Sequence, residues 1–107
     1  MNKTTITVYG AEQRCASCVN APGSKETYEW LEAAISRKYD SSDLQFQYID
    51  IFTPPEQEEH QYFTQKILDD EYFYPLVVVN GEVVGEGNPR LKTVYRALES
   101  EGIQPTG

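Results

Sequence analysis

Residues 4–18, TTITVYGAEQRCASC, decide how the rest of the chain is interpreted. β-Branched and aromatic residues follow one another with a period of two up to Gly10, which predicts a strand over residues 4–9. No periodicity follows Gly10, and the loop-forming segment up to Gly23 holds both cysteines of the chain, Cys15 and Cys18. The stretch therefore predicts a first strand and then a loop that carries a Cys-x-x-Cys pair.

The middle of the chain contains a predicted helix, strand and second helix. Apolar residues at three-to-four spacing predict a first helix from about Ser24 to Tyr39, and alternation predicts a strand over residues 44–51. Thr53, followed by two prolines and a glutamate, has the spacing of a capping box and predicts a helix that runs to about Asp69. The predicted apolar face of that second helix comprises Tyr62, Phe63, Ile67 and Leu68.

The last third of the chain predicts a hairpin and a final helix. The run PLVVV from Pro75 is typical of a buried strand, Asn-Gly at positions 80–81 predicts a tight turn, and EVVGEG supplies the partner strand. Asn88 as N-cap and Pro89 as first helical residue predict a helix that ends near Gly102.

The order β-α-β-α-β-β-α predicts one α/β domain over residues 1–107. A helix between the first two strands implies a parallel pair with a right-handed crossover, and the hairpin completes a mixed four-stranded sheet covered by three helices. Cys15 and Cys18 then lie beyond the carboxyl end of the first strand, where open α/β sheets place their ligand sites.

Composition excludes several classes of function. With 17 acidic and 9 basic residues the chain has a net charge of -8, which disfavours binding to nucleic acid and to anionic membrane surfaces. The longest apolar run, residues 76–79, is too short to span a bilayer, and the amino terminus lacks the apolar stretch of a secretory signal. We expect a soluble, cytoplasmic protein, in which two cysteines so close together call for a chemical explanation.

A leading strand, a Cys-x-x-Cys before the first helix and a proline that opens a hairpin strand resemble the thioredoxin/glutaredoxin-like superfamily. Within it, TITVYGAEQRCASCVNAP, TYEWLEAA and YPLVVVNGEVVGEGNPRL resemble the YuzD-like family of bacteria. The resemblance implies a thioredoxin-like three-layer sandwich. It also implies that Cys15 attacks a disulfide as a thiolate, that Cys18 resolves the mixed disulfide, and that a cis Pro75 lies against the pair, whereas base rates alone favour a trans bond.

The sequence departs from the thioredoxin pattern around the cysteines. Gln13 and Arg14 stand where thioredoxins usually carry an aromatic residue before the first cysteine, and Pro22 and Gly23 delay the helix. Since a helix dipole acts within about one turn, it helps Cys15 less, and Arg14 is the only obvious cation to favour the thiolate. We expect a thiol-disulfide oxidoreductase of narrow specificity, acting on a protein or a low-molecular-weight thiol or disulfide, without a cofactor.

Other readings of the same pair stay open. The chain is also interpretable as a protein-binding adaptor on a thioredoxin scaffold, as a dimeric metal or iron-sulfur carrier, or as a scaffold without chemistry. A zinc site in one chain would lack two of its four ligands, and we expect the single His60 to be a solvent-exposed residue on the distant second helix. The sequence does not determine the oligomeric state.

Overall fold

The main elements occur in the predicted order. The computed structural model describes residues 4–11, 24–39, 41–87 and 89–104. Its strands are β1 (Thr4–Gly10), β2 (Leu44–Asp50), β3 (Leu76–Val79) and β4 (Glu82–Glu86), and its helices are α1 (Ser24–Lys38), α2 (Glu58–Leu68) and α3 (Leu91–Ser100). A short 3-10 helix, Ser41–Asp43, leads into β2. None of the helices in these ranges has both the length and the apolar character needed to cross a bilayer.

The strands form one mixed sheet in the order β2-β1-β3-β4. β1 is parallel to β2, with Thr4 opposite Leu44 and Gly10 opposite Asp50, and antiparallel to β3, with Tyr9 opposite Leu76. β3 and β4 form the predicted antiparallel hairpin. β1 therefore lies inside the sheet, and its carboxyl end lies between the end of β2 and the beginning of β3.

Two apolar cores lie on opposite faces of the sheet. One face packs against α1 and α3 through ten buried residues, Ile6, Val8, Leu31, Ile35, Tyr39, Leu44, Val77, Val79, Val94 and Leu98. The other face packs against α2 through Tyr9, Ala11, Ile49, Ile51, Phe63, Ile67, Leu76 and Val78. Successive residues of β1 and β3 alternate between the two cores, as the period of a strand requires. This three-layer α/β arrangement is thioredoxin-like and confirms the predicted fold class.

The hairpin turn is formed by Asn80 and Gly81, with φ angles of 48° and 87°. Both lie in the left-handed region that a type I′ turn requires, which explains the choice of an Asn-Gly pair. Asn80 also joins the hairpin to β1, because its Oδ1 accepts the backbone N–H of Thr5 at 2.9 Å. The turn predicted from the sequence is confirmed.

The predicted start of α2 at Thr53 is wrong. The helix begins at Glu58, and its N-cap is Gln57, whose side chain makes no capping hydrogen bond. Thr53 and Pro54 each precede a proline, and a residue before proline is driven out of the helical region. The segment before Glu58 is therefore not helical, and Pro55 contributes a carbonyl that accepts the Gln61 side-chain amide at 2.9 Å.

The buried face of α2 also differs from the prediction. Its buried residues are His60, Phe63, Thr64 and Ile67, whereas Tyr62 and Leu68 are exposed. The expectation of a solvent-exposed His60 is thus wrong, since only 2% of it is accessible. Positions 60, 63, 64 and 67 follow the i, i+3, i+4, i+7 spacing of a helix face, so two polar residues complete a face that apolar character alone did not indicate.

The predicted start of α3 is also wrong. The helix begins at Leu91 with Arg90 as N-cap, because the Arg90 carbonyl accepts the first helical hydrogen bonds, from Thr93 and Val94. The proposed N-cap Asn88 lies outside the described residues. Pro89 precedes the N-cap and is buried against Gly85, where a methyl group on the glycine would lie 2.9 Å from Pro89 Cβ.

Candidate functional site at the carboxyl end of β1

Cys15 and Cys18 lie outside the described residues, so the site is defined by the residues on either side of them. Ala11 and Ser24, which flank residues 12–23, are both buried. Gly10 contacts Ser24 so closely that a Cβ on the glycine would overlap Ser24 Cβ and lie 2.5 Å from Ser24 Oγ. The segment that contains both cysteines therefore leaves and rejoins the described chain at one place, the junction of β1 and α1.

Pro75 lies beside this junction. It is buried, the Tyr74–Pro75 peptide bond is cis as the family resemblance implied, and the next residue, Leu76, pairs with Tyr9. The Pro75 carbonyl accepts the backbone N–H of Gly87 at 3.0 Å, which joins the beginning of β3 to the end of β4. Of the three residues predicted for the site, the structure places Pro75 at the carboxyl end of β1, and the positions of Cys15 and Cys18 stay predictions.

A cationic group that sequence reasoning missed lies near the same junction. The ammonium group of Lys25, the second residue of α1, is 4.9 Å from the centre of the Tyr48 ring. A Cβ on Gly10 would be 3.1 Å from the hydroxyl oxygen of Tyr48, so this ring borders the junction. Arg14 is thus not the only cation to consider, and the signal in the sequence was the position of Lys25 at the predicted helix start.

A buried polar pair supports β1 from the α2 side. Tyr9 Oη and His60 Nδ1 are joined by a hydrogen bond of 2.7 Å, and the two rings meet edge to face with centroids 5.6 Å apart. Burial raises the pKa of Tyr9 well above its ordinary value, and the charge of Glu59 raises it further, so the phenol stays protonated at neutral pH. Because Tyr9 precedes Gly10, this pair holds the strand that leads into the cysteine segment against α2.

Metal binding finds no support in the ranges that the structure covers. Within them, no group of three or more histidine, cysteine, aspartate or glutamate side chains could hold a metal ion. His60, the residue most suited to metal binding there, uses its Nδ1 atom in the hydrogen bond to Tyr9. The described part of the site therefore offers close backbone packing, a buried proline and the ammonium group of Lys25.

Comparisons with known proteins identify relatives of this chain. The family model described as Protein of unknown function (DUF1462) matches residues 7–99. A protein of Bacillus subtilis (strain 168) named "Putative disulfide oxidoreductase YuzD" is 55% identical over 102 residues, which cover 95% of this chain and 94% of that protein. A crystal structure of a Staphylococcus aureus protein of unknown function, SA0789, is 39% identical, with a TM-score of 0.81 over 94% of this chain and 92% of that one.

Proposed function

Because the chain belongs to the family described as Protein of unknown function (DUF1462), and a relative 55% identical to it bears the name "Putative disulfide oxidoreductase YuzD", we propose that it is a thiol-disulfide oxidoreductase. Cys15 is the attacking residue in this proposal, Cys18 is the resolving residue, and Pro75 positions the substrate. The cytoplasm, a reducing compartment, is the proposed location.

The observation that carries the proposal is the contact between Gly10 and Ser24 beside Pro75. This contact joins both ends of the cysteine segment to the carboxyl end of β1, the edge at which open α/β sheets bind their ligands. The buried Pro75, which immediately precedes β3, lies at the same edge. Cysteine chemistry at this place requires that the two sulfur atoms reach the solvent there, that they can approach within bonding distance, and that Cys15 loses its proton.

The proposed reaction is two successive thiol-disulfide exchanges. The Cys15 thiolate attacks one sulfur of a substrate disulfide, a mixed disulfide forms, and the departing sulfur leaves as a thiolate that takes up a proton. The Cys18 thiolate then attacks the Cys15 sulfur and releases the second substrate thiol. The substrate gains two electrons and two protons, and the chain is left with a Cys15–Cys18 disulfide that an external thiol must reduce.

The electrostatics of the site predict moderate reactivity. α1 begins at Ser24, nine positions after Cys15 (24 minus 15), so Cys15 is not in the first turn of that helix. The stabilisation of a thiolate by a helix dipole falls off within about one turn, which leaves Arg14 and Lys25 as the cations to lower the pKa of the Cys15 thiol. We therefore propose narrow specificity, in which substrate recognition compensates for modest thiolate formation.

The test is the trapping of a mixed disulfide. Cys18→Ser, treated with a disulfide substrate, should accumulate a covalent adduct on Cys15 that mass spectrometry detects, because the resolving thiol is missing. Cys15→Ser is the matched control and should form none. The pH dependence of Cys15 alkylation should give a pKa below the value of about 8.5 for a free thiol.

An unperturbed Cys15 pKa together with the absence of any trapped adduct would contradict the proposal. If Cys15→Ser also retained the same protein partners in pull-down experiments, the adaptor interpretation would replace catalysis. Mass spectrometry of the wild-type chain with and without reductant provides an independent check, since a pair able to form the disulfide differs by two hydrogen atoms between the two states.

A further inference from the structure

Two exposed phenylalanines flank the carboxyl end of β1. Phe52 lies two positions after Asp50, the last residue of β2, and Phe73 lies two positions before Pro75. Their exposed fractions are 60% and 71%. β2, which ends just before Phe52, and β3, which begins just after Phe73, are the two neighbours of β1. Since neighbouring strands are spaced by about 4.8 Å, β2 and β3 are about 10 Å apart. We call Phe52 and Phe73 the aromatic rim.

Hydrogen bonds to carboxylates hold the backbone of both rim residues. Phe52 donates its N–H to Asp50 Oδ1 at 2.9 Å, and Phe73 donates its N–H to Glu86 Oε1 at 3.2 Å. Each rim residue therefore has a carboxylate bound to its backbone, one at the end of β2 and one at the end of β4. Large apolar side chains exposed at the edge where a sheet binds its ligands mark candidate interaction sites.

The segments that carry the rim are acidic. Residues 50–53, 69–75 and 85–87 contain no lysine or arginine, and their carboxylates are those of Asp50, Asp69, Asp70, Glu71 and Glu86. The ammonium group of Lys66, just before the second segment, is 3.2 Å from a carboxylate oxygen of Glu71. Residues 12–23 add one acid and one base, Glu12 and Arg14, and thus no net charge.

Two basic residues limit this acidity. Lys25 lies against the Tyr28 and Tyr48 rings at the start of α1, and the exposed Arg90 precedes α3. Lys25 belongs to α1, which follows the cysteine segment, and Arg90 is the N-cap of α3, which follows β4. Neither residue interrupts the hydrogen bonds of Asp50 to Phe52 and of Glu86 to Phe73. The rim itself therefore combines apolar surface with the carboxylates of Asp50 and Glu86.

We propose that the aromatic rim selects, as the redox partner, a cationic polypeptide segment that presents an apolar side chain next to its cysteine. The inference rests on the proposed function and decides between the two partner classes that the sequence left open. An anionic low-molecular-weight thiol would be repelled by the carboxylates and by the net charge of -8, and it would leave the exposed rings uncovered. A basic segment with an apolar side chain would be attracted to the carboxylates and would cover the exposed rings.

The test compares reduction rates of three disulfides by the reduced protein. The probes are neutral bis(2-hydroxyethyl) disulfide and the symmetrical disulfides of two peptides, Lys-Phe-Cys-Lys and Glu-Phe-Cys-Glu. At a low salt concentration of about 0.02 M, the cationic peptide should be reduced about tenfold or more faster than the anionic peptide. The ratio should fall at about 1 M salt, where the Debye length is about 3 Å.

Matched variants assign the effect to the rim. Glu86→Gln keeps an oxygen acceptor for Phe73 and removes one charge, so it should lower the cationic-to-anionic ratio, whereas Glu82→Gln at the opposite end of β4 should not. Phe73→Ser should slow both peptides and leave the neutral disulfide unchanged. Tyr62→Ser, an exposed aromatic residue on α2, is the control and should change neither.

The outcomes separate the two proposals. Equal rates for the cationic and anionic peptides, with the neutral disulfide still reduced, would overturn the rim proposal and leave the oxidoreductase in place. If no disulfide is reduced, the proposed function fails. Calorimetric binding of S-methylated peptides then tests the rim separately, and a missing preference for the cationic peptide would overturn it.

Discussion

Gly10 allows the end of β1 to touch the start of α1. Glycine is required at position 10 because a side chain has no room there, and not because the backbone is left-handed. Any Cβ would overlap Ser24 and crowd the Tyr48 hydroxyl. Ser24 is itself buried, so the start of α1 cannot move outward without exposing the core beneath it. The single missing methyl group thereby determines how closely the two ends of the cysteine segment approach.

We expect Gly10→Ala to lower the free energy of unfolding by about 1–3 kcal/mol, the usual cost of overpacking a tight contact. Urea unfolding followed by circular dichroism measures it. Ser24→Gly removes the Cβ that the new methyl group would meet, so the double variant should lose less than the sum of the two single losses. If the two losses of unfolding free energy were strictly additive, the methyl group that Gly10→Ala introduces would not clash with Ser24, which would contradict this account.

Helices α2 and α3 end in the same way with different residues. In α2, Asp70 donates its N–H to the Ile67 carbonyl and Glu71 donates to Lys66; in α3, Gly102 donates to Glu99 and Ile103 to Leu98. Both are Schellman motifs, which place one residue in the left-handed region. That residue is Gly102 in α3, with φ 93°, and Asp70 in α2, with φ 63°.

The left-handed Asp70 predicts a stabilising substitution. Asp70→Gly should raise the free energy of unfolding by about 0.5–1 kcal/mol, because the glycine has no Cβ to oppose a positive φ. Asp69→Gly is the matched control at the adjacent C-cap, where φ is -87°, and should destabilise through the extra freedom of the unfolded chain. Thermal unfolding of both variants provides the measurement, and stabilisation by Asp69→Gly alone would contradict the assignment.

Across the whole molecule, two buried tyrosines connect elements that are distant in the sequence. Tyr39, at the end of α1, donates its hydroxyl to Glu99 Oε2 in α3 at 2.6 Å, while Tyr9 connects β1 to α2 through His60. Burial raises the pKa of both phenols above the ordinary value, and the hydrogen bond to Glu99 raises that of Tyr39 further. Both rings are thus held neutral in the folded state.

These shifts predict a loss of stability in alkali. A phenol whose pKa is higher in the folded state contributes its full stabilisation below the unfolded value of about 10, and the contribution falls as the pH rises above that value. The urea midpoint should therefore decrease from about pH 10 upward. Tyr39→Phe should reduce the slope of that decrease, and Tyr62→Phe, at an exposed position, should not. An unchanged slope in Tyr39→Phe would contradict this account.

Local chemistry in the sequence predicted much of the fold. Alternation in β1, the Asn-Gly turn at 80–81 and the three-to-four spacing of α1 depend on residues close in the chain. The order of elements along the chain and the hairpin were therefore predictable from the sequence. The position of the Cys-x-x-Cys pair after β1 also followed from the sequence alone. The helix starts at Thr53 and Asn88 were mispredicted because capping patterns also occur outside true helix ends. Prolines and packing determine at which residue a helix begins.

The sequence alone thus determined the α/β class, the parallel β1–β2 pair and the candidate cysteines, since each depends on spacing and periodicity along the chain. Only the tertiary structure decided that His60 is buried against Tyr9, that Tyr62 faces solvent, and that Gly10 contacts Ser24. It also placed Phe52 and Phe73 on either side of β1. The physical reason is that burial and contact between distant residues depend on how the layers pack, which no local pattern contains.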